Sequence, residues 1–395
     1  MKGGKKHAAF NNLAAVKNTC SAAKDCGSCK YAGETYLYSC AEKLDRVRKL
    51  LPKNCKVNDI DVCENPFHYR NKVHSGFKKL RGGKIICGPY EEGSHRIVKV
   101  NSCLIENETA SAIIRDCADI AAKLGVPIYN ETSCSGELRR VLVRVAEQTG
   151  EIMVVIVIGN RIFKQKTAFV KELTKRHPEI TTMLVNINRR HDSMILGDET
   201  RKITGKGYIT DVLLGKKFRI SPTSFYQVNR SQAEVLYSTA VRLADFKGNE
   251  RAIDCYCGTG TTTLTFAGFT GSIKGVEINP EAVDDAVRNA KENGVDNAEF
   301  VCADATEYMK EAADRGERFD VVILDPTRLG TDMKFIRACK KLSPEKIIYI
   351  SCNPDTLARD IKRFEEYGYQ PQVAEPVDMF PWTSSIEVVC LLTKN

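Results

Sequence analysis

The chain has 395 residues and a net charge of +9 at pH 7, enough length for two or three domains. Its strongest apolar run, roughly Ile152–Ile158, is far too short to span a bilayer, and no apolar core follows the basic start. This argues against a membrane or secreted protein and for the cytoplasm, where 16 cysteines are read as metal ligands, nucleophiles or small buried groups rather than disulfides.

Residues 1–19 read as a basic tail, and Cys20, Cys26 and Cys29 crowd the short stretch after it. Tyr36, Leu37, Cys40, Leu44, Val47 and Leu50 recur at helical spacing over Thr35–Leu51, and Pro52 ends the pattern. Residues 1–55 are therefore taken as a tail and cysteine-bearing segment. Residues 56–217 mix short strands and helices, including a buried strand at Ile152–Ile158 and a helical pattern over Lys164–Arg176, and are expected to form an α+β central domain. Positive charge is concentrated in residues 1–90 and 161–230, and acidic residues dominate the C-terminal part. Such segregation points to a polyanionic partner for the basic blocks, and RNA fits it. Tyr69, Phe77, Phe163 and Phe169 lie in or near those blocks. They are candidates for stacking on bases, although aromatics in such segments more often serve the core.

From residue 218 to the end the pattern changes. Strand-like runs at Arg251–Tyr256, Ser272–Glu277, Glu299–Cys302, Phe319–Asp325 and Lys346–Ser351 alternate with helical ones such as Pro280–Asn293 and Met333–Leu342. This alternation predicts an α/β domain with a doubly wound, mostly parallel sheet covered on both faces. The first strand runs into Asp254-Cys-Tyr256-Cys-Gly258-Thr-Gly260-Thr261. Its glycines let a cofactor approach the backbone, but Thr263 stands where a dinucleotide fingerprint needs a third glycine. Glu277 closes the second strand, placed to accept hydrogen bonds from two ribose hydroxyls. Asp304 follows the third, where it can take an adenine amino group, and Asp325 closes the fourth. Strand ends of one parallel sheet lie together at its ligand crevice, so this layout points to S-adenosylmethionine.

The fifth strand leads directly into Ser351-Cys352-Asn353-Pro354, which puts a thiol at that same edge. A thiolate that adds to carbon 6 of uracil makes carbon 5 nucleophilic enough to accept a methyl group. The carbon 5 proton must then leave to a base. Glu387, which interrupts the apolar C-terminal strand, is the candidate, with a buried structural carboxylate as the alternative.

The C-terminal half resembles the RNA uracil-5-methyltransferase family. The stretches that carry the resemblance are Ile220-Ser-Pro-Thr-Ser-Phe-Tyr-Gln227-Val-Asn229, the Asp254–Gly260 loop, Gly275-Val-Glu277, Asp325-Pro-Thr-Arg328, Ser351–Asp360 and Pro376-Val-Asp-Met-Phe-Pro-Trp-Thr383. The resemblance implies a class I methyltransferase domain in which Gln227, Tyr256, Glu277, Asp304 and Asp325 bind the cofactor or the uracil. It also implies Cys352 as nucleophile and Glu387 as base. Two departures stand out: Thr327 replaces the usual second proline, and Ser385 the usual histidine. Members that act on 23S ribosomal RNA carry a similar cysteine triplet and one later cysteine. That implies a [4Fe–4S] cluster on Cys20, Cys26, Cys29 and Cys103, with zinc as the runner-up and Cys40 or Cys87 as substitutes for Cys103. Many relatives also have an N-terminal oligonucleotide-binding barrel, the TRAM domain, for which the nineteen residues before Cys20 leave no room. The expectation is therefore a 23S ribosomal RNA (uracil-5)-methyltransferase with no obligate protein partner. The alternatives are a tRNA (uracil-5)-methyltransferase and an inactive RNA-binding factor. A cytosine methyltransferase would usually set its cysteine after a proline, a context absent here.

Overall fold

The computed structural model describes residues 12–395; residues 1–11, which hold most of the expected tail, lie outside it. The described remainder of that stretch is not a tail. Leu13 is buried in the core, Asn18 is fully buried, and Lys17 bridges to Thr35.

The N-terminal segment contains a short helical turn α1 (Ala23–Cys26), helix α2 (Tyr36–Leu50) and a two-residue strand β1 (Lys56–Val57). Thr35 caps α2 by accepting the Tyr38 N–H. Tyr36, Ser39, Cys40, Lys43 and Val47 form its buried face. Within residues 1–55, α2 packs against the last helix of the catalytic domain, and the β1 strand that follows pairs in parallel with its sheet.

The central domain follows with strands β2 (Lys72–Lys79) and β3 (Ile85–Gly88), helix α3 (Glu108–Lys123), strands β4 (Leu138–Val145) and β5 (Ile152–Ile158), helix α4 (Lys166–Arg176), and strands β6 (Ile180–Ile187) and β7 (Glu199–Thr204). They form one mixed sheet in the order β3-β2-β4-β5-β6-β7. Ile113, Ile120, Phe169 and Leu173 of the two helices cover one face through Val141, Val143, Val154 and Ile156. Leu142, Met153, Val155 and Val157 on the other face join the catalytic core. Burial on both faces explains why β5 reads as an unbroken apolar run. Tyr69, Phe77, Phe163 and Phe169 are all buried, which removes them as base-stacking candidates: they fill the core.

After the hairpin β8 (Ile209–Leu213) and β9 (Lys216–Ile220) come α5 (Arg230–Ala244), β10 (Arg251–Cys255), α6 (Thr261–Ala267), β11 (Ser272–Glu277), α7 (Pro280–Glu292), β12 (Ala298–Cys302), α8 (Ala305–Asp314), β13 (Val321–Leu324), α9 (Met333–Leu342), β14 (Lys346–Ser351), α10 (Pro354–Glu365), β15 (Tyr369–Val377) and β16 (Glu387–Lys394). The sheet order is β1-β15-β16-β14-β13-β10-β11-β12. Strands β10 to β14 are parallel, and β16 inserts antiparallel between β14 and β15. The chain steps from β10 to β11 and β12 on one side and then crosses back to β13 on the other, so a crevice opens at the C-terminal end of β10. No helix among the described residues is long and apolar enough to cross a membrane.

Candidate active site

The crevice is built by the loop after β10. The strand stops at Cys255 rather than continuing to Tyr256, because Tyr256 takes a left-handed backbone (φ 71°). Its N–H and that of Cys257 both donate to the Val276 carbonyl, at 2.9 and 3.0 Å, which bends the loop over β11. Gly258 (φ 55°) faces open space where a side chain would otherwise stand. At Gly260 (φ 81°) a Cβ would lie 3.1 Å from Phe300 and Ala286, so close packing requires glycine there. Helix α6 then starts at Thr261. Glu277 accepts the N–H groups of Gly258 (3.1 Å) and Asn279 (2.9 Å), which fixes its carboxylate at the mouth of β11. Asp304 caps α8 by accepting the Glu307 N–H at 3.0 Å. It shares a cleft of about 510 Å³ with Tyr256, Thr306 and Thr331. Deeper in, Asp254 is fully buried and accepts a 2.6 Å hydrogen bond from the Thr263 hydroxyl, while its Oδ1 has no partner. Burial pushes this carboxyl up to about 8. An open glycine cradle with carboxylates at successive strand ends fits a nucleoside carrying a positive centre.

Cys352 directly follows β14, in the turn that Asn353 organises by capping α10 and donating to the Arg328 carbonyl at 3.0 Å. The last pair between β14 and β16 is Ser351 with Val388. One step further, the antiparallel register sets Cys352 opposite Glu387. Cys352 is half-buried and Glu387 only 4% exposed. Burial, then the charges of Glu387 and Asp325, push the Cys352 thiol up to about 11, and Arg328 opposes the shift. Burial and then Asp325 hold the Glu387 carboxyl well above the usual range, again against Arg328. Asp325 itself is raised to about 7 by burial. These groups therefore share one electrostatic neighbourhood. Burial, then the Asp325 charge, raise the Tyr237 hydroxyl, with Glu387 a smaller contributor.

Glu277 thus closes its strand, while Asp304, Asp325 and Cys352 follow directly after theirs, at the same end of neighbouring parallel strands. Arg328, Tyr237 and the Asp254–Thr263 pair were not singled out from sequence. Tyr237 lies on the apolar stripe of α5 and carries no separate signal. Arg328 Nη2 donates to the Ser385 hydroxyl at 3.3 Å, which sets a cation beside the turn that leads into Glu387.

A profile of the tRNA (uracil-5-)-methyltransferase family matches residues 40–395. The chain belongs to this family. This uracil-5-methyltransferase is 37% identical over 382 residues to an RNA methyltransferase of uncharacterised activity from Halalkalibacterium halodurans, a match that covers 95% of this chain and 83% of the relative. A Clostridium tetani protein described in the same words is also 37% identical over 382 residues, covering 96% and 83%. Among solved structures, the Pyrococcus abyssi tRNA (uracil-54, C5)-methyltransferase in complex with S-adenosyl-L-homocysteine superposes with a TM-score of 0.75 at 27% identity, covering 91% of this chain and 84% of that one. This uracil-5-methyltransferase is accordingly an S-adenosylmethionine-dependent RNA methyltransferase.

A second, larger cavity of about 820 Å³ adjoins the site of this uracil-5-methyltransferase. Cys20, Cys26, Cys29 and Cys103 all line it. Arg70, Lys72 and His74 reach it from the central sheet and Arg328 from the catalytic domain. Burial, then the Cys26 and Cys20 charges, raise the Cys29 thiol to about 11. Burial, then Glu106, raise Cys103 to about 12, with Cys29 a smaller contributor. Among the described residues no three such side chains stand close enough to hold a single metal ion. Cys40 faces Asp378 at 3.7 Å instead, and Cys87 is buried in the central core.

Proposed function

We propose that this enzyme methylates carbon 5 of a uridine in 23S ribosomal RNA, in the cytoplasm, with Cys352 as nucleophile and Glu387 as base. The observation that carries this reading is the placement of Cys352 opposite Glu387 at the strand edge that also bears Asp325. A half-buried thiol cannot reach a stacked base, so the target nucleotide is extruded into the crevice. S-adenosylmethionine, held by the 256–261 loop, Glu277 and Asp304, supplies an electrophilic methyl group there. The Cys352 thiolate adds to carbon 6, and the displaced electron pair makes carbon 5 nucleophilic. After carbon 5 is methylated, Glu387 takes its proton. The carbon–sulfur bond then breaks, restoring the ring double bond and the thiolate. Arg328, the cation at the mouth, steadies the negative charge that develops.

The four thiols in one cavity support the ribosomal reading, together with a [4Fe–4S] cluster as their ligand. A zinc ion at about 2.3 Å from each sulfur would gather four thiolates far more tightly than an iron–sulfur cube does. The four thiols line one cavity, and metal content decides between the cluster and zinc. The cluster would tie the N-terminal loop to the Cys103 loop beside the RNA cleft. Anaerobically purified enzyme is expected to contain about four irons and four acid-labile sulfides per chain. Zinc in their place would select the runner-up. The likeness to a solved tRNA (uracil-54, C5)-methyltransferase favours tRNA as the second reading. Mass spectrometry of nucleosides from 23S RNA and tRNA of a strain lacking the gene, after incubation with enzyme and labelled cofactor, decides between them. Label in 5-methyluridine of 23S RNA is expected. Label in tRNA alone moves the substrate, and no label in either leaves an inactive RNA-binding factor.

A further inference from the structure

The wall of the active site between β15 and β16, residues 378–386, ends on Glu387, and it is held by residues outside the methyltransferase sheet proper. Asp378 follows Val377, the residue paired with Glu387 across the two strands. Its carboxylate is fully buried and accepts from the Lys43 ammonium at 2.6 Å and the Tyr36 hydroxyl at 2.6 Å. Lys43, itself 1% exposed, also donates to the Phe380 carbonyl at 2.9 Å. Further along the same turn, the Tyr31 N–H donates to the Trp382 carbonyl (3.0 Å), the Tyr69 hydroxyl to the Pro381 carbonyl (3.1 Å), and the Trp382 indole N–H to the Pro66 carbonyl (2.8 Å). Trp382 has φ 70° and is wholly buried. A bulky residue keeps that backbone only where its surroundings over-determine it. These partners lie between Tyr31 and Tyr69, just after the cysteine triplet, while Asn229 and Gln232 at the start of α5 donate to the Met379 and Asp378 carbonyls, both at 3.1 Å.

A buried ion pair adds little stability over apolar groups of the same size, while it does fix geometry. We infer that the Lys43–Asp378–Tyr36 cluster is a positioning device for the base, through which the N-terminal segment sets the Glu387 carboxylate against Cys352. This rests on the assignment of Glu387 as the base. The helix that carries Lys43 and Tyr36 presents them, with Cys40, on one face, so α2 acts as a rigid bar against the turn. The step that depends on this alignment is removal of the carbon 5 proton, which comes after cofactor binding and after the carbon–sulfur bond has formed.

The test uses full-length enzyme and RNA carrying tritium at carbon 5 of the target uridine. In the double variant Lys43→Met/Asp378→Asn, which removes both charges together, tritium release is expected to slow by about tenfold or more. A covalent protein–RNA complex should accumulate on denaturing gels, with S-adenosylmethionine affinity unchanged. Tyr36→Phe removes one hydrogen bond and no charge, and should show the same pattern to a smaller extent. It carries the test if the double variant does not fold. Methyl transfer and tritium release falling in parallel with no complex, or release at the wild-type rate, would overturn the proposal. Glu387→Gln run beside them separates the two layers. A complex in Glu387→Gln but not in the clamp variants rejects the clamp alone, whereas none in Glu387→Gln rejects the base.

Discussion

Replacing Cys352 with alanine is expected to lower turnover by about 10⁴-fold or more while S-adenosylmethionine still binds. The two effects separate because the residues responsible sit on different strands. Glu277 closes β11 and Asp304 caps the helix after β12, on one side of β10, and Cys352 follows β14 on the other. Loss of a half-buried sulfur from a capped turn leaves the carboxylates and the glycine loop in place. The same thiol sets the pH dependence. With the thiol raised to about 11 by burial and by Glu387 and Asp325, the free enzyme holds Cys352 protonated at neutral pH. The reactive thiolate fraction grows as pH rises, so kcat/KM of the wild type is expected to climb from pH 7 to 9. Single-turnover methylation with radiolabelled cofactor, alongside calorimetric binding, checks both. Wild-type turnover by Cys352→Ala would end the covalent mechanism, and lost cofactor binding would place Cys352 in the wrong half of the crevice.

The catalytic domain was legible because each of its signals is local. A strand that ends in a carboxylate or a thiol declares both its direction and its edge, and one parallel sheet collects those ends. Helix α9 follows the expected Met333–Leu342 range, and β11 and β14 also match. Tyr256 ends its strand one residue early, because the loop must turn its N–H groups onto Val276, and no residue pattern announces that. The docking of the N-terminal segment onto the catalytic domain left no sequence signal for a different reason. Tyr36 and Lys43 bond to a residue more than 330 positions away, and β1 is two residues long. Neither long-range pairing nor so short a strand has a periodicity to read. Lys43 lies on the buried face of α2, and its partners there are the Asp378 carboxylate and the Phe380 carbonyl. The aromatics of the basic blocks failed as base-stacking candidates because position near positive charge says nothing about which way a ring points.

Glu387→Gln is expected to trap the enzyme on its RNA. Glutamine has the shape of the native side chain and no capacity to accept the carbon 5 proton, so the reaction should proceed through thiolate addition and methylation and then stop. The product is a methylated covalent adduct that survives denaturation and retains the carbon 5 hydrogen, with turnover lowered by roughly 10²–10⁴-fold. A denaturing gel with labelled RNA reads it directly, and the adduct must be absent when Cys352→Ala is added to the same chain. Stability supplies the control for folding. The folded state holds the Glu387 carboxyl well above its ordinary range and so binds more protons than the unfolded chain. Its contribution is fully present below the unfolded value near 4.3 and is lost as pH rises toward the folded one. The glutamine variant escapes that loss, so its melting temperature should gain on the wild type as pH increases. A folded variant that turns over without adduct would transfer the base role, and Asp325, the carboxylate whose charge acts on both Cys352 and Glu387, would be the group to test next.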